Sequence, residues 1–129
     1  MSEILQSILK LLIAAVLGLI IGANRERFGK PAGYKTIFCV AVASCLLVIL
    51  SRDFGETGVA RMAAQIVPGV GFIGAGVIFK GDRIVDLTTA AAILLSAAIG
   101  ISCYTFEGAI LGAFTVLLYL TVMHVFKEK

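Results

Sequence analysis

RMAAQIVPGVGFIGAGVIF, residues 61–79, carries four glycines (Gly69, Gly71, Gly74 and Gly76), one of the chain's two prolines and no charge beyond Arg61. Gly69 to Gly74 spells G-x-G-x-x-G. In water this pattern invites a dinucleotide-binding reading, which needs a strand before it, a helix after it and a surrounding βαβ unit. In a bilayer the same residues describe a helix that other backbones approach closely, or a helix that breaks. The surrounding solvent decides between these readings.

Composition fixes that solvent. The 129 residues are 60% hydrophobic and 15% charged, with a mean hydropathy of +1.05, outside the range of soluble domains. The polar residues are too few to cover a water-facing surface and fall in short clusters between apolar runs. Lipid is the expected surroundings. The net charge of +3 therefore carries information through its distribution, and not as a sign of nucleic acid. Inside an apolar run the glycine motif has no βαβ context, and the dinucleotide reading is rejected although Asp86 follows at a tempting distance.

Five apolar runs are visible, over residues 4–23, 36–50, 65–79, 87–103 and 108–126. The first, fourth and fifth can span a hydrocarbon core of about 30 Å at about 1.5 Å rise per residue. The second and third reach only about 22 Å and need polar flanks, local thinning or burial among the others. The runs are continuous and lack the alternation of a membrane barrel. The expected fold is an all-α integral membrane protein, a compact bundle of about five transmembrane helices forming one domain over residues 1–129.

Met1-Ser2-Glu3 has the wrong polarity for the basic start of a cleaved signal peptide, so the first helix is expected to be retained. Lys10, inside the first run, is expected to snorkel toward the nearer interface. Loop one carries Arg25, Arg27, Lys30 and Lys35; loop three carries Lys80 and Arg83; the tail carries Lys127 and Lys129. Loop two has only Arg52 and Arg61. The positive-inside rule then places the N-terminus outside and the C-terminus in the cytoplasm.

Small residues recur at four-residue spacing. Ala14, Gly18 and Gly22 share a face of the first helix, Ala92, Ser96 and Gly100 a face of the fourth, and Gly108 with Gly112 opens the fifth. Such faces gain van der Waals contact by letting backbones come close. Helix packing or oligomer contact is thus expected at Gly18, Gly22, Gly69, Gly71, Gly74, Gly76, Gly100, Gly108 and Gly112. A homo-oligomer is compatible with this, a dimer being the commonest closed symmetry.

Polar residues at the span ends suggest a second feature. Asn24-Arg25-Glu26-Arg27 closes the first helix, Arg61 and Gln65 enter the third one turn apart, and Asp86, Thr88 and Thr89 open the fourth, where they can act as caps. Such groups are costly in lipid unless satisfied. Arg25, Glu26, Arg61, Gln65, Thr88 and Thr89 are accordingly the candidate polar network. Cys39, Cys45 and Cys103 lack metal-ligand spacing and read as packing residues. His124 has no partner set. Nothing in the spacing calls for a catalytic residue, a metal or a cofactor, and the expectation is a non-enzymatic protein.

GKPAGYKT (29–36), R-x-AAQI followed by GVGFIGAGVIF, and LTTAA with SAAIG together resemble the membrane domain of the MgtC/SapB family, most clearly from about Leu12 to Gly100. Arg25, Glu26, Gly29, Pro31, Gly33, Arg61, Gln65, Gly71, Gly74, Gly76, Thr88 and Thr89 match its pattern. The chain departs from it at Asn24, where an acid is common, at Ile37, where a histidine is common, and at Asp86, which stands for a frequent glycine. It also lacks a tryptophan often found in the fourth helix. The resemblance implies a multi-pass bacterial inner-membrane protein in a short form without the cytoplasmic C-terminal domain. It also implies a link to magnesium limitation or stress adaptation, and regulation by contact with membrane partners such as the proton-translocating ATP synthase. The alternative is a small oligomeric ion or solute pathway built on the glycine-rich third helix.

Overall fold

The computed structural model describes residues 2–79 and 87–126. Among them the chain forms five α-helices and no strand: α1 (Glu3–Arg27), α2 (Tyr34–Ser51), α3 (Gly55–Ile78), α4 (Leu87–Ser102) and α5 (Phe106–Val125), with a single 3-10 turn, Arg52–Phe54, between α2 and α3. Lys80, Arg83, Lys127 and Lys129, on which part of the charge asymmetry rests, and Asp86, read as a cap of the fourth helix, lie outside the described residues.

Three stretches are long and apolar enough to cross a membrane: Glu3–Arg27, Tyr34–Ile78 (which contains both α2 and α3) and Phe106–Val125; α4 is apolar but shorter, at 16 residues. Large apolar side chains cover the outside, with Leu12, Leu50, Ile110, Leu111, Phe114 and Leu117 all more than half exposed. A water-facing surface of this kind would associate indiscriminately. Against lipid tails it costs nothing, so these are the helices of a membrane protein.

Local chemistry sets the ends of the helices. Ser2 caps α1 by accepting from the Leu5 amide, and Thr105 caps α5 by accepting from Gly108, each satisfying an otherwise orphaned donor. α1 stops in a Schellman arrangement, with Gly29 N–H donating to Glu26 O at 3.0 Å and Lys30 N–H to Arg25 O at 3.0 Å. That closure needs a left-handed residue, and Gly29 supplies it at φ +67°. Pro31 follows, where a helix cannot resume, and the chain turns into α2.

α2 and α4 form the middle of the bundle. α2 packs on α1, α3 and α4, while α4 also meets α5; α3 touches α2, α4 and the 3-10 turn but neither α1 nor α5. Ile21, Ile37, Ala41, Cys45, Ile93, Ala97 and Cys103 are wholly or almost wholly buried between these helices. Buried hydroxyls turn back onto their own helices: Ser51 donates to Val48 O at 2.7 Å and Ser96 to Ile93 O at 2.8 Å, which satisfies them without water.

The third helix differs most from expectation. It begins at Gly55 rather than at residue 65 and continues through Pro68 to Ile78 without interruption. Its 24 residues reach about 36 Å, which removes the need for local thinning. Arg61 consequently sits within the helix and not in a loop. Proline deletes one helical hydrogen bond but does not end a helix whose outer side is free to adjust.

Candidate functional site

The glycines divide into two populations. A Cβ on Gly22 would overlap the Tyr34 backbone, and one on Gly100 would overlap the Ala41 carbonyl. One on Gly18 would lie 3.0 Å from the Ala41 side chain, one on Gly74 3.3 Å from that of Ala90, and one on Gly112 2.8 Å from Ser102 Oγ. Gly108 is pressed against the Ser102 carbonyl within the α4–α5 turn. These six are close-approach points inside the bundle. Gly69, Gly71 and Gly76 are different: a Cβ on any of them would meet nothing within 4 Å.

These three lie on the outer side of α3. The inner side is Ile66, Val70 and Gly74, at four-residue spacing and buried against α2 and α4. Rotating away from it at 100° per residue brings first Gly69 and Gly76, then Gln65, then Phe72 and Arg61; Gly71 and Ala75 occupy the opposite flank. All are exposed, Phe72 to 83%. On one flank a groove of about 460 Å³ runs between α3 and α2, with Gln65, Gly69 and Ile73 along one wall and Cys39, Ala43 and Leu47 along the other. The two walls are ridges of the i, i+4 type that a further helix can pack into.

The six candidate network residues do not form one network. Arg25 and Thr89 come together in the interior, 2% and 0% exposed. Arg25 donates from Nε to the Pro31 carbonyl at 3.1 Å and the Ala32 carbonyl at 3.2 Å, and from Nη2 to the Thr89 hydroxyl. One planar guanidinium thus joins the end of α1, the α1–α2 turn and the first turn of α4. Glu26 is exposed, its carboxylate filling the space where a Cβ on Gly33 would stand. Thr88 is exposed at the rim. Arg61 and Gln65 are on α3, toward its N-terminal half and away from the Arg25 end, and both are exposed.

The separation has a physical cause. A guanidinium in an apolar interior needs several acceptors at once, and here the turn folded back over the end of α1 supplies two carbonyls together. Ala32 takes φ 58° to do so. The sequence signal was present, since Arg25 lies a few residues before Lys30-Pro31-Ala32-Gly33, but it does not say which helix provides the third acceptor.

Beside this junction α1, α4 and α5 enclose a second cavity, of about 400 Å³. Asn24, Arg25, Lys30 and Thr88 give it a polar end, and Tyr119, Val122, Met123 and Phe126 an apolar wall.

At the opposite end of the bundle Lys10, expected to snorkel outward, is only 9% exposed. Its ammonium lies 5.5 Å from the Tyr104 ring centroid and 5.3 Å from that of Phe106, so aromatic faces at the α4–α5 corner receive it. Arg52 donates to Ser7 Oγ at 3.2 Å at this same end. Cys45 and Cys103 are buried in the core while Cys39 is exposed. Among the described residues no three His, Cys, Asp or Glu side chains converge as a metal site.

Known proteins resemble this chain by sequence. SapB of Bacillus subtilis (strain 168) is 40% identical over 89% of the chain and 53% of its own length. YhiD of Escherichia coli (strain K12), described as a candidate magnesium transporter, is 40% identical over 91% of the chain and 60% of its own length. MgtC of Salmonella typhimurium (strain 14028s) is 42% identical over 74% of the chain and 42% of its own length. The chain spans about half the length of these relatives. No solved structure matches it. The MgtC family model covers residues 11–129, nearly the whole sequence, and with these relatives it makes the chain a member of the MgtC family.

Proposed function

We propose that the protein is a non-enzymatic, multi-pass protein of the bacterial inner membrane that regulates a membrane partner through helix-to-helix contact along α3. The observation that carries this reading is the uncovered glycines on the outer side of α3, Gly69 and Gly76 beside Gln65 on one flank and Gly71 on the other. Each glycine in a helix interior costs about 1 kcal/mol relative to alanine. Gly18, Gly22 and Gly100 offset that cost with close backbone contact inside the bundle. Gly69, Gly71 and Gly76 have no such contact within the chain. In lipid, where apolar burial gives no drive for association, a small-residue face offers another helix the close approach that lets dispersion and Cα–H contacts accumulate. Gln65, one turn from Gly69 and without a hydrogen-bond partner among the described residues, adds a polar group that a partner helix can satisfy.

The N-terminus is outside and the C-terminus in the cytoplasm in this reading. Arg25, Arg27, Lys30 and Lys35 cluster at the end of α1 and the start of α2, the side that the positive-inside rule assigns to the cytoplasm. The partner is a second copy of the chain or a larger membrane complex, such as the ATP synthase that the family resemblance implies, and the setting is adaptation to magnesium limitation or stress.

The description of YhiD as a candidate magnesium transporter favours a second reading, an oligomeric ion or solute pathway along α3. Flux of magnesium, protons and sodium into proteoliposomes, for wild type and Gln65→Leu, separates the two. Contact regulation predicts no flux above empty vesicles for either protein. Flux in the wild type that falls in Gln65→Leu would overturn it in favour of the pathway.

A further inference from the structure

We propose that the cavity between the ends of α1 and α5 and the start of α4 is a binding site for a phosphate group, delivered by an anionic phospholipid. Among the described residues that line this space the two charged ones are both cations, Arg25 and Lys30. Arg25 forms part of its lining and is held rigidly, its acceptors among the described residues being two backbone carbonyls and a hydroxyl. These neutral groups orient the guanidinium without cancelling its charge. Lys30 and Asn24 line the same end, adding a second cation and an amide that can donate to a phosphate oxygen. Arg27 and Lys35, and Glu26 next to Arg27 in sequence, are exposed at the end of α1 and the start of α2, so the excess of basic residues at this end favours anions.

The other half of the cavity identifies the source of the phosphate. Tyr119, Val122, Met123 and Phe126 come from the last turns of α5, and Val122 and Phe126 are 48% and 69% exposed. The apolar wall therefore runs without a break into the outer surface of α5, which the acyl chains cover. A free phosphate ion would leave that wall unused. A phospholipid fills both parts, with its phosphate against Arg25 and Lys30 and its glycerol and first methylenes along Val122 and Phe126. The volume of about 400 Å³ is in the range of small-ligand pockets and accommodates a headgroup with its backbone.

The site is independent of the α3 contact face, so failure of one leaves the other standing. Its test is native mass spectrometry of the delipidated full-length protein, titrated with dioleoylphosphatidylglycerol, with dioleoylphosphatidylcholine, and with inorganic phosphate as competitor. Phosphatidylglycerol should be retained in preference to phosphatidylcholine. Inorganic phosphate at millimolar concentration should not displace it. Lys30→Gln should weaken retention about fivefold, the loss expected for one basic residue at a charged headgroup. Val122→Phe, which fills the wall from an exposed position, should lower it as well. Both variants leave the Arg25 junction untouched, and an unchanged lipid-free melting temperature identifies them as folded. Equal retention of the two lipids, unaffected by either substitution, would overturn the site, and full displacement by phosphate would overturn the assignment to lipid.

Discussion

The Arg25 guanidinium donates to the Thr89 hydroxyl, so the end of α1 and the first turn of α4 share a buried hydrogen bond across 64 positions of sequence. The same group holds the Pro31 and Ala32 carbonyls. Two of the three sequence blocks that mark the family, the Gly-Lys-Pro-Ala-Gly turn and the Leu-Thr-Thr start of α4, are thereby fastened to one side chain. This junction fixes one end of the bundle, and α3 is left on the periphery.

Thr89→Val keeps the shape of the side chain but removes the acceptor. The expected loss is about 1.5–3 kcal/mol, the range for hydrogen bonds to charged groups, read by equilibrium unfolding in mixed micelles. Arg25→Lys should also destabilise, because an ammonium cannot span two carbonyls and a hydroxyl in one plane. Thr115→Val is the control. Its exposed hydroxyl bonds only to Leu111 O on the same helix, at 2.9 Å, and its effect should stay within about 0.5 kcal/mol.

The two glycine populations should respond to alanine with opposite sign. Gly22→Ala and Gly100→Ala drive a methyl into the backbone of α2 and should cost about 1–3 kcal/mol or more in the same titration. Gly71→Ala meets nothing within the chain and should stabilise the isolated protein by about 0.5–1 kcal/mol through helix propensity. A loss at Gly71 in the monomer would place an unrecognised neighbour against that face.

Lys10 gives a coupling prediction. Tyr104→Leu should cost about 0.5–2 kcal/mol beyond its packing change, the range of a desolvated cation–π contact. In a Lys10→Met background that excess should vanish, since the cation is gone while the stem still packs. A double-mutant cycle measures the difference, and additive losses would mean that the ring is only a packing surface for the lysine.

Much of this was legible in the sequence, for reasons that differ by element. Apolar run length and hydropathy disclosed the helices because lipid imposes a single rule on every span. The start of α3 was not legible. Gly55-Glu56-Thr57-Gly58 looks like a loop by composition, yet it forms the first turn of α3, directly after the 3-10 turn. Glycine spacing singled out Gly18, Gly22 and Gly100, which lie against the backbone of α2. It could not distinguish these from Gly69, Gly71 and Gly76, since spacing records a face and not what covers it. Of the candidate polar residues Arg25 and Thr89 meet, and Arg61 and Gln65 could be separated from them only once α3 was placed at the edge. For Lys10, snorkelling followed from side-chain length alone, and the aromatic corner at Tyr104 and Phe106 depends on a turn between two later helices.

The central claim is that the outer side of α3 that carries Gly69 and Gly76 is covered by another protein helix in the membrane. Its most direct test is site-specific photocrosslinking in native membranes from a benzoylphenylalanine at position 72, with the same probe at exposed Leu117 on α5 as the lipid-facing reference. A discrete protein adduct is predicted from position 72, lost when Gly69 and Gly76 are both changed to leucine, with none from position 117. No protein adduct from position 72, or one that persists in the double-leucine protein, would contradict the account.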